Sequence, residues 1–450
     1  MGLMIPRLLF IVCSSAVAFV SIATNVAKRG GGTVAHGIQE PATRLFLKNE
    51  INKNFVKEKE VSKRHRRQMW RDHYATQAGS STVYYRFDSS INETIKQAFV
   101  NATRLWETGT CLEFIEDGTA TEGILVTQDH FENCYTDSDE RNHIIFLCEA
   151  CSAVSDMAHE IGHALGLPHT QNRRDRNDYI IVNWTNIWNE YNAIASSYKF
   201  DLTDPPITLE NHEKQYGEME ENEEAHYGVP YDLGSIMQYA SSDENATIAA
   251  RDKNYNRTMG SPFVSFIDKL LVNKHYKCTE ICSQETSAHC ENNGFPNPKD
   301  CSTCFCPKGF GGKFCERRPD GCGQDLTARK MWQTMSRTIY NPDNNGEYVE
   351  CTIWILAEHG KEVEVRIISI SSGLDSIGCG KAGVEIKIKN DTRLTGYRFC
   401  SDKDSDISLE ANSTLVPVIM YSNVATPMEV ILIYRAGTCA HISTQEKIQK

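Results

Sequence analysis

Three histidines lie within an 11-residue stretch of this chain, at His159, His163 and His169. His159 and His163 are four residues apart, so on a helix their side chains lie on one face and can bind a single metal ion. Gly166 can adopt a positive φ, which would end the helix and turn the chain so that His169 becomes a third ligand. Three neutral imidazoles with one position open to water form the ligand set of a catalytic zinc site. The sequence therefore predicts one zinc ion per subunit.

Glu160 directly follows the first histidine, where its carboxylate can take a proton from a water molecule at the open position. The alternative is that two helical histidines pack in a protein core and bind nothing. Their four-residue spacing alone leaves that alternative open. The longer pattern H-E-x-x-H-x-x-G-x-x-H, which is the metzincin signature, strongly favours the zinc site.

The beginning of the chain predicts secretion. Arg7 precedes an apolar run from Leu8 to about Ala23, which is short for a membrane span and typical of a signal peptide, here residues 1–24. No later stretch is long and apolar enough to cross a bilayer, so we expect a mature form without a membrane anchor. Setting aside Cys13 leaves 16 of the 17 cysteines, an even number that predicts a disulfide framework in an extracellular protein. Seven Asn-x-Ser/Thr sequons fit that compartment as predicted glycosylation sites: Asn92, Asn101, Asn183, Asn245, Asn256, Asn390 and Asn412.

The formal net charge of −12 argues against nucleic acid or anionic membranes as partners. Residues 25–67 differ, because they are basic and end in Lys63-Arg64-His65-Arg66-Arg67. A basic run is often only solvated charge. Between a signal peptide and the aromatic region that begins near Trp70, this run predicts a propeptide at residues 25–67. Cleavage after Arg67 would make Gln68 the new N-terminus.

Apolar spacing predicts the elements around the zinc motif, in a chain whose 450 residues are enough for about two to four domains. A strand begins near Thr82, and Glu93–Trp106 has the spacing of a helix that faces a core. The zinc helix begins near Ser152, and a second helical pattern covers Phe263–Tyr276. The stretch between the zinc motif and Tyr231 is predicted to be irregular and polar. Short β-like runs occupy Leu112–Ile115, Ile124–Thr127 and Ile144–Leu147.

The zinc motif, the tract Arg174–Tyr179 and the segment Ser235-Ile236-Met237-Gln238-Tyr239 together resemble the astacin family of metalloendopeptidases. The resemblance covers residues 68–278 and implies an α+β, two-lobed zincin catalytic domain. It also implies that Met237 is the Met-turn residue, which forms an apolar floor beneath the metal. Tyr239 would be a fifth ligand that swings away to stabilise the transition state. Without that context, both would be interpreted as ordinary core residues.

Two further modules follow. Six cysteines between positions 282 and 315, ending in Cys304-x-Cys306, resemble an EGF-like module at residues 279–316. So short a segment has little apolar core and depends on its disulfides. From Cys322 onward, short strand-like runs with Trp354 and Tyr397-Arg398-Phe399-Cys400 resemble a CUB domain, an all-β sandwich at residues 322–436. Residues 437–450 would be a tail. Lys381-Ala382-Gly383 stands where many CUB domains have an acidic calcium ligand, so the sequence gives no support for calcium.

The resemblances also imply how the cysteines pair. Cys148 and Cys439 remain outside the family pairings; they can pair with each other, or Cys148 can compete with Cys151 for Cys134. The implied disulfides are Cys111–Cys278, Cys134–Cys151, Cys282–Cys301, Cys290–Cys304 and Cys306–Cys315, with Cys322, Cys351, Cys379 and Cys400 bridged within the CUB domain.

Three positions depart from the astacin pattern. Thr170 stands where the family has a glutamate that meets the new N-terminus after propeptide removal, so we expect the family's buried charge clamp to be absent or replaced. Gln238 replaces the histidine between the Met-turn methionine and the tyrosine, a change near the metal ligands. The propeptide lacks the F-x-G-D segment whose aspartate caps the zinc. Glu50 in Phe46–Glu50 is a weak substitute, which leaves the latency mechanism open.

We therefore expect a secreted zinc endopeptidase, made as a zymogen, that hydrolyses extracellular proteins. Glu160 would take a proton from water and pass it to the leaving amine, while Tyr239 would help to hold the oxyanion. The EGF-like and CUB modules would act as docking surfaces for substrates, and the order of modules resembles that of extracellular astacins of nematodes. The alternative is an inert binding or adhesion protein that keeps the astacin fold, with Thr170 and Gln238 as its only support. A zinc hydrolase of a non-peptide substrate has no motif in its favour.

Overall fold

The structure, a computed structural model, describes residues 12–13, 16–17 and then 81–439 with gaps at 129–133, 139–141, 148–151, 198–207, 221–225, 242–244, 284–286, 344 and 359. The expected propeptide, Glu50, the cleavage site at Arg67 and Gln68, and the cysteines Cys148 and Cys151 lie outside the described residues. Within the expected signal peptide, β1 (Val12–Cys13) pairs with β2 (Ala16–Val17). Among the described residues, no helix is long and apolar enough to span a membrane.

A five-stranded sheet and two helices form the first half of the expected catalytic domain. The sheet has the order β4-β3-β5-β7-β6, and β6 is its only antiparallel strand among those described. Asn92 caps α1 by accepting a hydrogen bond from the Ile95 amide at 3.0 Å, and α1 buries Phe99 and Trp106 in the core, as its spacing predicts. The elements are β3 (Ser81–Phe87), α1 (Glu93–Glu107), β4 (Leu112–Glu116), β5 (Gly123–Gln128), β6 (Tyr135–Ser138), β7 (Asn142–Leu147) and α2 (Val154–Ala164).

The second half contains more helix than its sequence predicts. The stretch between the zinc motif and Tyr231, expected to be irregular, contains an α-helix of 14 residues at Trp184–Ser197. Asn183 marks its beginning, because its side chain accepts a hydrogen bond from the Asn186 amide at 3.1 Å. The elements are β8 (Ile180–Val182), α3 (Trp184–Ser197), α4 (Leu209–Lys214), β9 (Ile248–Ala250) and α5 (Phe266–His275), with 3-10 turns at Thr170–Asn172, Arg176–Asp178, Lys253–Tyr255 and Cys278–Glu280.

A small disulfide-rich unit follows. Its two strands, β10 (Phe295–Asn297) and β11 (Asp300–Phe305), pair antiparallel. Three disulfides close it: Cys282–Cys301, Cys290–Cys304 and Cys306–Cys315. The Cys111–Cys278 disulfide precedes this unit and joins the end of α1 to the segment after α5 across 167 residues. Cys134 is also disulfide-bonded.

The C-terminal region is a sandwich of two β-sheets, with strand orders β12-β14-β19-β16-β17 and β13-β20-β15-β18. Alternate residues of β15, including Val363, Val365 and Ile367, point into the core between the sheets. β20 continues to Cys439, three residues beyond the predicted end of the CUB domain. Disulfides Cys322–Cys351 and Cys379–Cys400 lie within this region. The strands are β12 (Asp325–Thr327), β13 (Gln333–Ile339), β14 (Val349–Leu356), β15 (Lys361–Ile370), β16 (Ala382–Ile386), β17 (Tyr397–Phe399), β18 (Ser408–Glu410), β19 (Leu415–Ser422) and β20 (Met428–Cys439), with 3-10 turns at Ile377–Cys379 and Asp402–Asp404.

The sandwich packs directly against the second half of the catalytic domain. Tyr231, Tyr255 and Met259 belong to the same apolar core cluster as the inner faces of the sandwich. A buried carboxylate supports this contact: Asp232 accepts hydrogen bonds from the Thr395 amide at 3.1 Å and the Thr395 hydroxyl at 3.0 Å. The disulfide-rich unit contacts both, because the Trp354 indole of the sandwich donates to the Gly309 carbonyl oxygen at 2.8 Å and Phe305 stacks on Phe266 of α5. The three modules of this multidomain chain are therefore in direct contact.

Candidate metal centre

The predicted zinc ligands converge on one point. α2 carries His159 and His163 on one face, and Gly166 follows the helix with a φ of 91°, which turns the chain back toward His169. The Nε2 atom of His169 lies 3.2 Å from that of His159 and 3.1 Å from that of His163. Three nitrogens bonded to one tetrahedral zinc at about 2.0–2.1 Å would lie roughly 3.3 Å apart. The donor set therefore fits a zinc ion with one further position open.

Backbone carbonyls orient two of these rings. The Nδ1 atom of His159 lies 2.7 Å from the Ile236 carbonyl oxygen, and that of His163 lies 2.8 Å from the Leu167 carbonyl oxygen. A carbonyl can only accept, so each Nδ1 carries the proton and each Nε2 presents its lone pair to the centre. Burial, followed by the neighbouring His163, lowers the pKa of His159 to about 4, and burial lowers that of His169 well below its usual value. His159 and His169 are thus neutral at physiological pH, as zinc binding requires.

Glu160 lies fully buried next to the ligands. Thr136 on β6 donates a hydrogen bond to its Oε2 at 2.8 Å, and the same hydroxyl lies 3.0 Å from the Glu160 carbonyl oxygen. This contact holds one oxygen of the carboxylate in place. Sequence reasoning did not identify Thr136, because no motif connects the edge strand β6 to the zinc helix.

Met237, the predicted Met-turn residue, is buried against α2. A β-carbon built on Gly162 would approach its Sδ atom to 2.6 Å, so only glycine leaves room for the sulfur at this position of the helix. The turn is held by a buried carboxylate: Asp268 accepts hydrogen bonds from the Ser235 hydroxyl at 2.6 Å and the Ile236 amide at 3.0 Å. Burial raises the pKa of Asp268 to about 6.

Asp268 was also missed by sequence reasoning, although a signal for it exists. Ser265 and Asp268 form a capping box at the beginning of α5, with the Ser265 amide donating to Asp268 at 2.8 Å. The pattern Ser-x-x-Asp before an apolar run is the sequence signature of such a box. What the pattern does not reveal is that the same carboxylate also holds the turn that positions His159.

Tyr239 packs its ring against that of His169, with 4.5 Å between the ring centroids. Its hydroxyl donates a hydrogen bond to Oε1 of Gln215 at 3.2 Å, a partner that sequence reasoning did not identify. Burial, with smaller contributions from the Glu160 and Glu190 carboxylates, raises the pKa of Tyr239 above its usual value. The phenol therefore stays protonated and can act as a hydrogen-bond donor.

The two departures near the metal are accommodated by hydrogen bonds. The Thr170 hydroxyl donates to Ser235 Oγ at 3.0 Å, which links it to the same turn. Gln238 is fully buried and accepts from the Tyr231 hydroxyl at 2.6 Å. Neither residue displaces the zinc ligands, since the Nε2 atoms of all three histidines still converge.

The predicted glycosylation sites differ in exposure. Asn101 and Asn256 are partly buried, and the Asn256 carboxamide accepts a hydrogen bond from the Ala250 amide at 2.8 Å. The hydroxyl of Thr103, which the Asn101 sequon needs, lies on a buried residue. The remaining five are exposed and stay predicted glycan acceptors: Asn92, Asn183, Asn245, Asn390 and Asn412.

Comparison with known proteins agrees with this geometry. The profile of the astacin peptidase family matches residues 71–277. The chain is 39% identical over 390 residues to zinc metalloproteinase nas-31 of Caenorhabditis elegans, covering 84% of this chain and 59% of that protein. It is 32% identical over 348 residues to zinc metalloproteinase nas-26 of the same species, covering 75% of this chain and 76% of that one.

Among solved structures, high choriolytic enzyme 1, a hatching enzyme zinc-protease from Oryzias latipes, aligns with 44% of this chain and 90% of its own at 21% identity, with a TM-score of 0.36. The chain spans only a little more than half the length of nas-31. The match to nas-26 covers most of both chains, and the family profile covers the whole zinc site. This chain belongs to the astacin family of zinc metallopeptidases.

Proposed function

We propose that this protein is a secreted zinc endopeptidase that hydrolyses peptide bonds of extracellular proteins. The observation that carries the proposal is the convergence of His159, His163 and His169 beside the buried carboxylate of Glu160. Thr170 and Gln238, the two features that favoured an inert binding protein, are both hydrogen-bonded into an intact site. No observation in the described residues favours the inert alternative.

The side chains divide the reaction between them. The zinc ion, when bound, supplies a Lewis acid that polarises the scissile carbonyl and acidifies a water molecule. Glu160 takes a proton from that water and passes it to the leaving amine. Thr136 holds one oxygen of that carboxylate in place by donating a hydrogen bond to it. Tyr239, protonated and next to His169, donates a hydrogen bond to the developing oxyanion.

The edge strand β6 supports a peptide as the substrate. It is the last strand of its sheet among those described, and it runs next to the zinc site because Thr136 contacts Glu160. An exposed strand edge pairs with an extended peptide through backbone hydrogen bonds, which do not depend on side-chain identity. We propose that the substrate lies along β6 with its scissile bond at the metal.

The compartment and the activation step are also proposals. A disulfide-rich chain is typical of an oxidising, extracellular environment, and the apolar run before residue 24 supports secretion. The basic run that ends at Arg67 supports synthesis as a zymogen with Gln68 as the mature N-terminus. Docking of substrates on the CUB domain is supported by Met331 and Trp332, which remain exposed on that domain.

The test is peptide cleavage by protein trimmed after Arg67, compared with Glu160→Ala, with zinc content measured for both. We expect the wild type to cleave, and the variant to hold zinc but to lose activity by several orders of magnitude, since proton transfer and water positioning are both lost. Glu113→Ala, which removes an exposed carboxylate on β4, is the matched control and should cleave normally. If wild type and variant both bind zinc and neither cleaves a broad peptide library, the inert alternative replaces this proposal.

A further inference from the structure

A cationic cavity lies where the three modules meet, away from the zinc ligands. Its volume is about 140 Å³, and its walls come from the beginning of α5, from the end of β11 and the loop after it, and from the CUB sandwich. Five cationic side chains line it together with one carboxylate: Lys269, Lys308, Lys387, Arg393, Arg398 and Glu385. This excess of cationic over anionic side chains is unusual for a cavity whose lining includes buried residues, because buried charges are normally paired.

Three of the five cations have a carboxylate partner. Arg398 donates to Glu385 at 3.1 Å, and both side chains are buried. Arg393 makes two hydrogen bonds to Asp391, at 2.8 and 2.7 Å. Lys308 pairs at 2.6 Å with Glu350, a residue that does not line the cavity. The single carboxylate of the lining is therefore already committed to Arg398.

Two lysines remain without a carboxylate at bonding distance among the described residues. Lys387 donates to the carbonyl oxygens of Thr392 at 2.7 Å and Lys308 at 3.0 Å, which satisfies its donors in part. The carboxylates of Glu385, Asp232 and Asp391 act on its charge only from beyond bonding distance. Lys269 is 8% exposed, and within the described part of the chain its ammonium group makes no hydrogen bond or ion pair. The ammonium group lies over the ring of Phe305, whose centroid is 5.0 Å from Nζ, and the Asp268 carboxylate acts on its charge from beyond bonding distance.

We propose that this cavity binds one small oxyanion, of the sulfate or phosphate class, between Lys269 and Lys387. Such an anion would accept hydrogen bonds from both ammonium groups and supply a negative charge at bonding distance, which no described carboxylate does. Burial lowers the pKa of each lysine to about 8, so both are still largely protonated at neutral pH. An uncharged ligand would leave the two cations buried and uncompensated.

The location gives the anion a structural role. Because each of the three modules contributes to the walls, a bound anion would hold the EGF-like unit and the CUB sandwich against α5. Thr395, which also lines the cavity, makes the two hydrogen bonds to Asp232 described above. Occupancy would therefore stabilise the whole chain, and this expectation does not depend on peptidase activity.

The test is thermal unfolding of the zinc-loaded full chain in sodium sulfate and in sodium phosphate, against sodium chloride at matched ionic strength. We expect a saturable rise in Tm of several degrees with either oxyanion and none with chloride. Lys269→Met, which removes the charge and keeps the length of the side chain, should abolish the rise. Lys274→Met, an exposed lysine on the same helix, is the matched control and should keep it.

Calorimetric titration with sulfate provides a second measurement that does not depend on the folding of one variant. Wild type should bind about one anion per chain, and Lys387→Met should bind none. A sulfated disaccharide, titrated in parallel, distinguishes a free anion from a sulfate ester carried by a glycan; binding of either supports the proposal. No saturable binding to wild type, or the same rise in Tm in Lys269→Met as in wild type, would show that the cavity holds only water and would overturn it.

Discussion

At the scale of single residues, the chemistry of the zinc site depends on contacts that fix side-chain orientation. Asp268 holds the amide of Ile236, and the carbonyl of Ile236 holds the ring of His159. A carboxylate on α5 thus orients a ligand on α2 through one backbone unit. Such supporting contacts commonly change metal affinity by about 10- to 100-fold when they are removed.

Replacing Tyr239 by phenylalanine removes only the hydroxyl that donates to Gln215 in this structure. We expect kcat to fall by roughly 10²-fold with KM and zinc content nearly unchanged, because the hydrogen bond to the oxyanion forms only in the transition state. Steady-state cleavage kinetics and metal analysis measure both. Tyr84→Phe, which removes an exposed hydroxyl on β3, controls for the loss of a phenol. An unchanged kcat in Tyr239→Phe would contradict the assigned role.

At the scale of elements, the zinc site is the junction of α2 with the Met-turn. Each can be identified in the sequence: the histidine spacing predicts the helix, Gly166 predicts where it ends, and resemblance identifies the turn. The contact between them cannot be predicted from either pattern. Gly162 could be any small residue of the H-E-x-x-H pattern, and only the position of Met237 against it shows why glycine is needed.

Gly162→Ala tests this contact by the sign of its effect. In an exposed helix this change would stabilise the protein by about 1 kcal/mol, because alanine is the better helix former. Here the added methyl group meets the Met237 sulfur, so we expect the free energy of unfolding to fall by about 1–3 kcal/mol and zinc affinity to weaken. Denaturant unfolding and competition with a chelator measure the two effects.

Gly118→Ala is the matched control for that change, because a β-carbon at Gly118 would meet nothing within 4 Å. Its free energy of unfolding should stay close to that of wild type. A gain in stability for Gly162→Ala would mean that the Met-turn moves aside at little cost and does not constrain α2.

At the scale of the whole molecule, the C-terminal β-sandwich is part of the structure that supports the zinc site. Its core is continuous with the second half of the catalytic domain, and Arg257 of that domain pairs with Asp404 of the sandwich at 2.6 Å. Thr395 contacts Asp232, three residues before Ser235 of the Met-turn. Sequence analysis placed the CUB domain as a docking module and gave no indication of this support.

The hydrogen bonds between Asp232 of the catalytic domain and Thr395 of the sandwich can be tested by changing either partner, with Asp232→Ala or Thr395→Val. The first change leaves the buried amides of Thr395 and Gly234 without their acceptor, so we expect the free energy of unfolding to fall by roughly 2–3 kcal/mol. The second removes one hydroxyl and should cost about 1 kcal/mol. Differential scanning calorimetry should show one shared transition that moves to lower temperature in both.

Thr338→Val, at an exposed position on β13 of the same sandwich, should leave that transition in place. Two separate transitions in wild type, with only the CUB transition moved by Thr395→Val, would show that the sandwich folds independently of the catalytic domain.

What the sequence by itself determined are features that depend on residues close together in the chain. Helical spacing placed His159 and His163 on one face, a glycine ended their helix, and strand-like runs after Cys322 predicted the β-sandwich. Resemblance of the cysteine patterns implied the bridges that the structure contains, including the one across 167 residues. The helix Trp184–Ser197 was missed, because a polar stretch obscured its period.

Tertiary structure alone decided which distant residues complete the site. Hydrogen bonds join Thr136 to Glu160 and Gln215 to Tyr239, each pair 24 residues apart in the chain. Another joins Thr395 to Asp232, which are 163 residues apart. Tertiary structure also brought Lys269 and Lys387, which have no carboxylate at bonding distance among the described residues, to one cavity. The physical reason is that periodicity and turn chemistry act over a few residues. The position of one module against another is set by packed surfaces and buried hydrogen bonds, which no local pattern encodes.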